Sequence, residues 1–579
     1  MSFALDRSSL VFRIFFTVLV AICTTASNAI AQGAKLPTVA ANPGTPLSAQ
    51  GRSLLQTSIE AARDPALRWP NFADDRAYVA QFYEAGGYEL AWSLQGRPTP
   101  QATGVIYQLE NADLKGLLPE DYDGPRWPAR LAQLQQQTPP DEASLVRFDL
   151  ELTVCAMRLV SDLHEGKVNP ASLQFALSAE NRSYDLASFL RERVINSPPG
   201  YVPLAFQEVE PPFGAYYRVQ AELPVYEALA RKDDGTALPL PAKSVKAGGQ
   251  YAALAQLTSR LRLVGDLSGD AQVGLEPPVY QHPLVEAVAN FQRRHGLDDD
   301  GVLGPATIRA LNVPMSERVE QLRLTLERWR WLPHQYNHPP VVVNIPEFRL
   351  RTWDESERKV LEMNVVVGKA YHHKTPVFSA MMRYVIFRPY WEVPIDIQEA
   401  ELVPKLRRDP DYLAKNQFEV VTGSGGVVTD DQVSGDVLSR LSAGALFVRQ
   451  KPGDKNALGP VKFIFPNSYS VYLHGTPAHS LFAKSRRDFS HGCIRVEDPL
   501  ALATWVLANK PGWNKDRIAA MMNGSEVSMQ VNLDRPIPVL ILYGTAAVKQ
   551  DGQVYFYNDI YGYDDELENA MANAYSSRQ

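Results

Sequence analysis

The sequence predicts a multidomain α+β protein: a mainly helical N-terminal scaffold, a small helical unit, and a β-rich C-terminal domain with an inserted cap. Three observations carry this. The chain has 579 residues, enough for about three units at roughly 100–200 residues each. Apolar residues recur three and four apart over much of Trp69 to Val273, as in amphipathic helices. From Val341 onward the period changes to short β-branched or aromatic runs between turns, such as Val341-Val342-Val343-Asn344-Ile345 and Met363-Asn364-Val365-Val366-Val367-Gly368.

The chain opens on Arg7 and Arg13, an apolar stretch from Ile14 to Cys23 broken only by Thr17, and then Ala29-Ile30-Ala31. This is the pattern of a secretory signal over 1–31, cut after Ala31. The apolar stretch falls short of the roughly 18–20 residues that span a bilayer, so a membrane anchor is expected only if the segment stays uncleaved. Residues 32–67, rich in Ala, Pro, Ser and Gln, read as a linker. Residues 68–275 form the helical scaffold, punctuated at Pro119, Pro139-Pro140, Pro198-Pro199 and Pro211-Pro212, with Pro224 interrupting the helical pattern of Tyr217 to Ala230. They carry no metal or nucleotide motif.

Residues 276–313 form a compact helical unit. Leu284, Val288 and Phe291 share a helix face, Gly296 stops that helix, Gly301 turns the loop, and Pro305 suits the first turn of a second helix. The run Asp298-Asp299-Asp300-Gly301 lacks the later acidic ligands of a calcium loop. A connecting helix follows in 314–337, then the β-rich domain in 338–567 and a C-terminal tail in 568–579. Within the β-rich domain, about 397–445 breaks the strand rhythm with mixed helical and Gly-rich sequence. A long insertion between strands is more often functional than decorative, and is read here as a cap over a site.

Charge and cysteine count exclude some functions. With 58 Lys+Arg against 65 Asp+Glu and no arginine-rich run, the chain has a net charge of −7 and no field for nucleic acid. Three cysteines, Cys23, Cys155 and Cys493, cannot build a disulfide framework. Cys23 falls inside the signal. Cys155 sits among apolar residues at helical spacing and reads as a packed core thiol, although a Cys155 to Cys493 disulfide stays open at this level.

Cys493 has a different neighbourhood: Tyr472-Leu473-His474-Gly475-Thr476-Pro477, then Phe489-Ser490-His491-Gly492-Cys493-Ile494-Arg495-Val496. A thiol is only slightly ionised at neutral pH, so a nucleophilic cysteine needs a histidine in reach, giving a thiolate and imidazolium pair. His491, two residues away on the same segment, is awkwardly placed as a base. His474, ending the preceding strand, can face the thiol across a loop. No acidic residue follows His474, which leaves the backbone carbonyl of Gly475 as the group that orients it. Backbone N–H groups of His491, Gly492 and Cys493 are the candidate oxyanion hole. The chemistry these residues imply is acyl transfer, with neither cofactor nor metal: His474, His491 and Cys493 suit zinc by type but lack a fourth ligand or an HExxH-like pattern.

The Ser-His-Gly-Cys-x-Arg segment with a histidine ahead of it resembles the signature of the L,D-transpeptidase catalytic domain of the YkuD type. The resemblance extends to Val366-Val367-Gly368-Lys369 with Thr375-Pro376, to Pro389-Tyr390-Trp391-Glu392-Val393-Pro394, to Arg449 through Gly459, and to Asp559-Ile560-Tyr561-Gly562. The run Phe291-Gln292-Arg293-Arg294-His295-Gly296-Leu297 with Asp300-Gly301-Val302-Leu303-Gly304-Pro305-Ala306-Thr307 resembles the peptidoglycan-binding domain of cell-wall enzymes. Together they are similar to the large, multidomain Gram-negative branch; one departure of this chain is Gly475, where relatives often have Asp.

The resemblance implies a periplasmic enzyme acting on peptidoglycan stem peptides and glycan, with other wall-synthesis enzymes as possible partners. Cys493 is the nucleophile and His474 the base and acid. Arg495, Trp391, Tyr390, Thr476 and Ser490 shape the substrate pocket. The product is a 3→3 cross-link made through a thioester with release of D-Ala, and carbapenems are expected to label Cys493. Competing readings change the acceptor to water, as in an L,D-carboxypeptidase, or to a lipoprotein lysine, or remove catalysis in favour of wall binding alone.

Overall fold

A computed structural model describes residues 44–136, 140–177, 184–356, 358–370, 373–409, 411–429 and 433–579. The expected signal over 1–31 lies outside the described residues. No helix among the described residues is long and apolar enough to cross a membrane. By their internal contacts the described residues divide into two units: 44–110 with 122–158 and 185–208, and 111–121 with 159–184 and 209–579.

The first unit is helical, with helices Ala49–Ala61, Arg76–Ala85, Pro100–Glu110, Trp127–Gln136, Val202–Glu208 and the first part of Glu142–Glu165, and a two-residue hairpin of β1 (Ser93–Leu94) and β2 (Arg97–Pro98). Phe82, Tyr83, Trp92 and Trp127 are fully buried in it. The buried Asp149 carboxylate accepts from the Trp92 backbone N–H at 2.7 Å and from the Tyr83 hydroxyl at 2.7 Å, which satisfies both of its oxygens, and burial pushes its pKa up to about 6. Cys155 is buried and in no disulfide, and burial pushes its thiol pKa up.

The segment read as a linker, 32–67, differs from that reading over Ala49–Ala61, which is a helix capped by Ser48, whose side chain accepts from the Gly51 N–H. Its inward face is only Gly51, Leu55 and Ile59, too sparse a stripe to stand out in an Ala- and Ser-rich sequence.

In the second unit, the small helical body is larger than 276–313. Tyr251, Leu254, Leu257 and Leu261, from the helix Leu254–Leu263 and the turn before it, share one core with Leu284, Val288, Phe291, Ile308 and Leu311. Two short helices bury too little apolar surface alone, and the third completes the core. The segment read as a connector is the helix Met315–Arg330, whose Val319, Leu322 and Leu326 pack with Tyr216, Val219 and Leu223 of the helix Gly214–Ala230. Pro224 is accommodated inside that second helix. The tail carries the end of a helix, Tyr563–Asn573, and a short turn, Ser576–Arg578, and Tyr575 is buried with its hydroxyl donating to Asp162 at 2.6 Å.

The β-rich domain is a closed barrel. Its strands are β3 (Val341–Asn344), β4 (Arg349–Trp353), β5 (Lys359–Gly368), β6 (Phe378–Phe387), β11 (Val461–Ile464), β12 (Leu473–His474), β14 (Ile494–Val496) and β15 (Met529–Leu542), running β5-β14-β12-β11-β6-β15-β3-β4 and closing through β4 back to β5. Closure removes unpaired edges, and alternate residues fill the interior: Val365, Val385, Phe463, Leu473, Ile494 and Val539 are fully buried. The short β13 (Asp488–Ser490) lies parallel to β5 outside the ring. A separate hairpin joins β16 (Ala546–Val548) to β17 (Val554–Phe556).

The insertion is a small body with its own sheet of β7 (Trp391–Glu392), β10 (Phe447–Gln450), β8 (Phe418–Val421) and β9 (Val427–Thr429). Val393, Leu402, Leu406, Val420, Leu441 and Val448 form its core, so it extends on both sides of 397–445. The Gln398 side-chain amide donates to the Leu441 and Leu446 carbonyls and accepts from the Val448 N–H, which pins its helical arm to its sheet.

Candidate active site

The site is assembled on three neighbouring strands. Lys462 on β11 is paired in register with His474 on β12, and His474 with Arg495 on β14. Leu473 and Ile494, one position earlier on each strand, point into the barrel. Alternation therefore turns Lys462, His474 and Arg495 to the opposite face, and brings Tyr472 and Cys493, two residues before His474 and Arg495, to the same side.

His474 is buried, and its Nδ1 lies 2.6 Å from the Gly475 carbonyl oxygen. A carbonyl only accepts, so Nδ1 carries the proton and Nε2 keeps its lone pair. Burial, and next the charge of Arg495, push the imidazole pKa down to about 3, against the opposing pull of the Gly475 carbonyl. Burial also pushes the half-buried Cys493 thiol up, against the lowering influence of Tyr472, Lys462 and Arg495. The thiol donates to the Ser470 carbonyl at 3.7 Å. These shifts favour a neutral thiol and a neutral imidazole, where the sequence suggested a preformed ion pair: burial penalises both charges.

The loop before Cys493 is tied at several points. Gly492 has φ +112°, a conformation that L side chains rarely adopt. Its N–H donates to Ser490 Oγ at 3.2 Å, and the Ser490 hydroxyl donates to the Cys493 carbonyl at 2.6 Å. Thr375 Oγ1 donates to the Gly492 carbonyl at 2.7 Å and accepts from the Gly368 N–H at 2.9 Å, while the Tyr561 hydroxyl donates to the Gly368 carbonyl at 2.6 Å and accepts from the Thr375 N–H at 3.1 Å. Gly368 has no room for a side chain: a Cβ there would stand 1.9 Å from the His373 carbonyl oxygen. A Cβ on Gly475 would lie 3.0 Å from the Pro460 side chain, so this position is closely packed.

The other expected pocket residues have the following partners. Ser490 is buried with its hydroxyl spent inside the loop, and buried Thr476 accepts from the Ala478 N–H at 3.2 Å. Trp391 pairs with Gln450 in the cap sheet and its ring lies 6.1 Å from that of Phe418. The Arg449 guanidinium lies 4.5 Å from the centroid of the Tyr390 ring. His491 turns its Nε2 to cap residue Glu401, 2.6 Å away, and its ring lies 4.8 Å from that of His373. Lys462, Tyr472, Thr375, Tyr561 and Glu401 join the site only through the fold. Thr375 and Tyr561 lay in the family-like runs, but only the fold puts them beneath the loop. An apolar cavity of about 460 Å³ lined by Trp329, Trp331 and Trp353 contains none of these groups. Among the described residues no cluster of three or more His, Cys, Asp or Glu side chains is arranged to hold a metal.

A closed barrel with an embedded cap, and a Ser-His-Gly-Cys-x-Arg loop beside a carbonyl-oriented histidine, define the class: a YkuD-type catalytic domain within a multidomain chain. Residues 339–528 match the family model described as the L,D-transpeptidase catalytic domain, 77–223 that of a scaffold domain, and 251–311 that described as “Putative peptidoglycan binding domain”. The chain thus carries an L,D-transpeptidase catalytic domain together with a peptidoglycan-binding domain. It is 32% identical over 259 residues to a Haemophilus influenzae protein named “Putative L,D-transpeptidase”; the match covers 45% of this chain and spans about half of that relative, 51% of its length.

Proposed function

We propose that this protein is a cysteine-dependent L,D-transpeptidase that forms 3→3 peptidoglycan cross-links. The observation that carries the reading is the pairing of β12 with β14, which sets Cys493 and His474 on one face with Nδ1 of the histidine held by the Gly475 carbonyl. Cys493 Sγ attacks the carbonyl between the L-centre of diaminopimelate and the terminal D-Ala of a tetrapeptide stem, and its proton passes to His474 Nε2. The carbon–nitrogen bond breaks, His474 returns the proton to the leaving amine, and D-Ala departs from a thioester. The side-chain amine of diaminopimelate on a second stem attacks the thioester and regenerates the thiol. The N–H groups of His491 and Cys493 are the oxyanion donors, whereas that of Gly492 is engaged by Ser490.

The peptidoglycan-binding domain supports glycan and stem peptides as the substrate. The N-terminal 31 residues direct export to the periplasm, and carbapenems acylate Cys493. The test is incubation with purified disaccharide-tetrapeptides and mass spectrometry of the products. Dimers that have lost one D-Ala support the reading; tripeptide monomers alone point to a carboxypeptidase, and full product formation by Cys493→Ala overturns the thiol mechanism.

A further inference from the structure

Two cations stand beside the base, and while Cys493 is a neutral thiol no anion meets them. Lys462 and Arg495 occupy the positions in register with His474 on either side, and both are half-buried. Among the described residues neither makes an ion pair, and Arg495 Nε is buried without a hydrogen-bond partner. The Lys462 ammonium lies over the Tyr472 ring, 3.8 Å from its centroid, and the charges that act on it are that of an ionised Cys493 and, after it, that of Glu392, with which it makes no ion pair. Two partly desolvated positive charges without a counter-ion are costly, and they depress the basicity of the histidine between them. Such a pair makes sense when an anion arrives with the substrate.

The covalent geometry of the donor says which anion. The base that protonates the leaving nitrogen must come within hydrogen-bond distance of it. In a C-terminal amino acid the carboxylate carbon is only two bonds from that nitrogen, about 2.5 Å away. The backbones of the strands on either side of the base lie about 4.8 Å from its own, and Lys and Arg side chains are long enough to reach such a carboxylate from there. We infer that Lys462 and Arg495 form a carboxylate-binding subsite for the free C-terminus of the leaving D-amino acid, so that the enzyme selects donor peptides ending one residue beyond the scissile bond. This rests on the transpeptidase reading of the same site and adds the origin of its donor selectivity. A peptide extended by one more residue presents a neutral amide to the two cations and leaves them unpaired.

The test compares the stem tetrapeptide L-Ala-γ-D-Glu-meso-diaminopimelyl-D-Ala with the same peptide ending in D-alaninamide. Binding to the full-length Cys493→Ala protein is read by calorimetry, and turnover by the Cys493 protein is read by mass spectrometry. The carboxylate form is expected to bind at least about tenfold tighter than the amide, as for a charge-assisted contact. Lys462→Met in the Cys493→Ala background should shrink that gap severalfold, and Lys462→Arg should keep it. Matching thermal unfolding of the Met and Arg variants guards against misfolding as the cause. Equal binding of the two peptides, or a gap untouched by both Lys462→Met and Arg495→Met, overturns the subsite. If Lys462→Met shifts only the pH profile of Cys493 alkylation by iodoacetamide and leaves the gap intact, the lysine serves the thiolate alone and the subsite is likewise overturned. A binding gap without turnover sinks the transpeptidase reading while the subsite stands, and turnover without a gap does the reverse.

Discussion

Glu401, on the π-helical turn Gln398–Leu402 of the cap, holds its Oε1 2.6 Å from Nε2 of His491, two residues before the candidate nucleophile. The cap is therefore tied to the loop that carries the candidate nucleophile. Burial raises the Glu401 pKa, but the contact with His491 and the charges of Lys405 and Lys369 outweigh it, and the net shift is downward.

Removing this tie should weaken the cap's hold on substrate more than the chemistry itself. A part-exposed polar contact of this kind is worth about 0.2–1 kcal/mol. Glu401→Ala is expected to raise KM up to about fivefold with kcat little changed, and to speed amide hydrogen exchange across Gln398–Leu402. Unchanged KM and unchanged exchange would show that the contact does not control the cap.

The buried imidazole of His474 gives a pH signature. Its folded pKa of about 3 lies below the ordinary value near 6.5, so the unfolded chain takes up the proton first as pH falls. Stability from this group is whole above about pH 6.5 and is lost progressively between there and pH 3. At pH 4.5 the loss reaches roughly 2–3 kcal/mol. Denaturant titrations at pH 7 and 4.5 should show this acid sensitivity in the wild type and a smaller one in His474→Gln.

Gly492 at φ +112° makes a sharp case for backbone geometry. An alanine there must either adopt a strained conformation, costing about 1–3 kcal/mol, or rotate the chain next to Cys493. Gly492→Ala should fold with a lower Tm and lose most of its acylation rate, read by carbapenem labelling of Cys493 in intact-mass kinetics. Labelling at the wild-type rate would mean that the loop tolerates another conformation.

Thr375 carries two buried contacts, a donation to the Gly492 carbonyl and an acceptance from the Gly368 N–H. Valine keeps the shape and removes both, leaving two backbone groups unsatisfied. Thr375→Val should cost about 2–4 kcal/mol in chemical denaturation and slow acylation, whereas Thr375→Ser should retain most of both. A neutral Thr375→Val would mean that water replaces the hydroxyl.

The strands of the β-rich half were legible because Val341–Asn344, Lys359–Gly368 and Phe378–Phe387 are long enough to carry their own pattern. The helix Ala49–Ala61 was not, because three inward residues in thirteen leave no period to see. The small helical body was cut short because Tyr251 to Leu261 join its core from across a turn-rich gap. Only contact in space reveals that.

Within the site, Cys493, His474 and the Gly475 carbonyl could be chosen from sequence because chemistry restricts which side chains make a nucleophile and which groups orient a base. The sequence by itself determined the residue types, their order along the chain and the expected reaction class. Tertiary structure decided the rest. Strand register placed Lys462 and Arg495 on either side of His474, burial made that imidazole neutral, and loop closure turned Ser490 inward while Thr375 and Tyr561 became supports. The reason is physical: register, desolvation and hydrogen-bond satisfaction belong to pairs of residues far apart in the chain, and no local pattern records them.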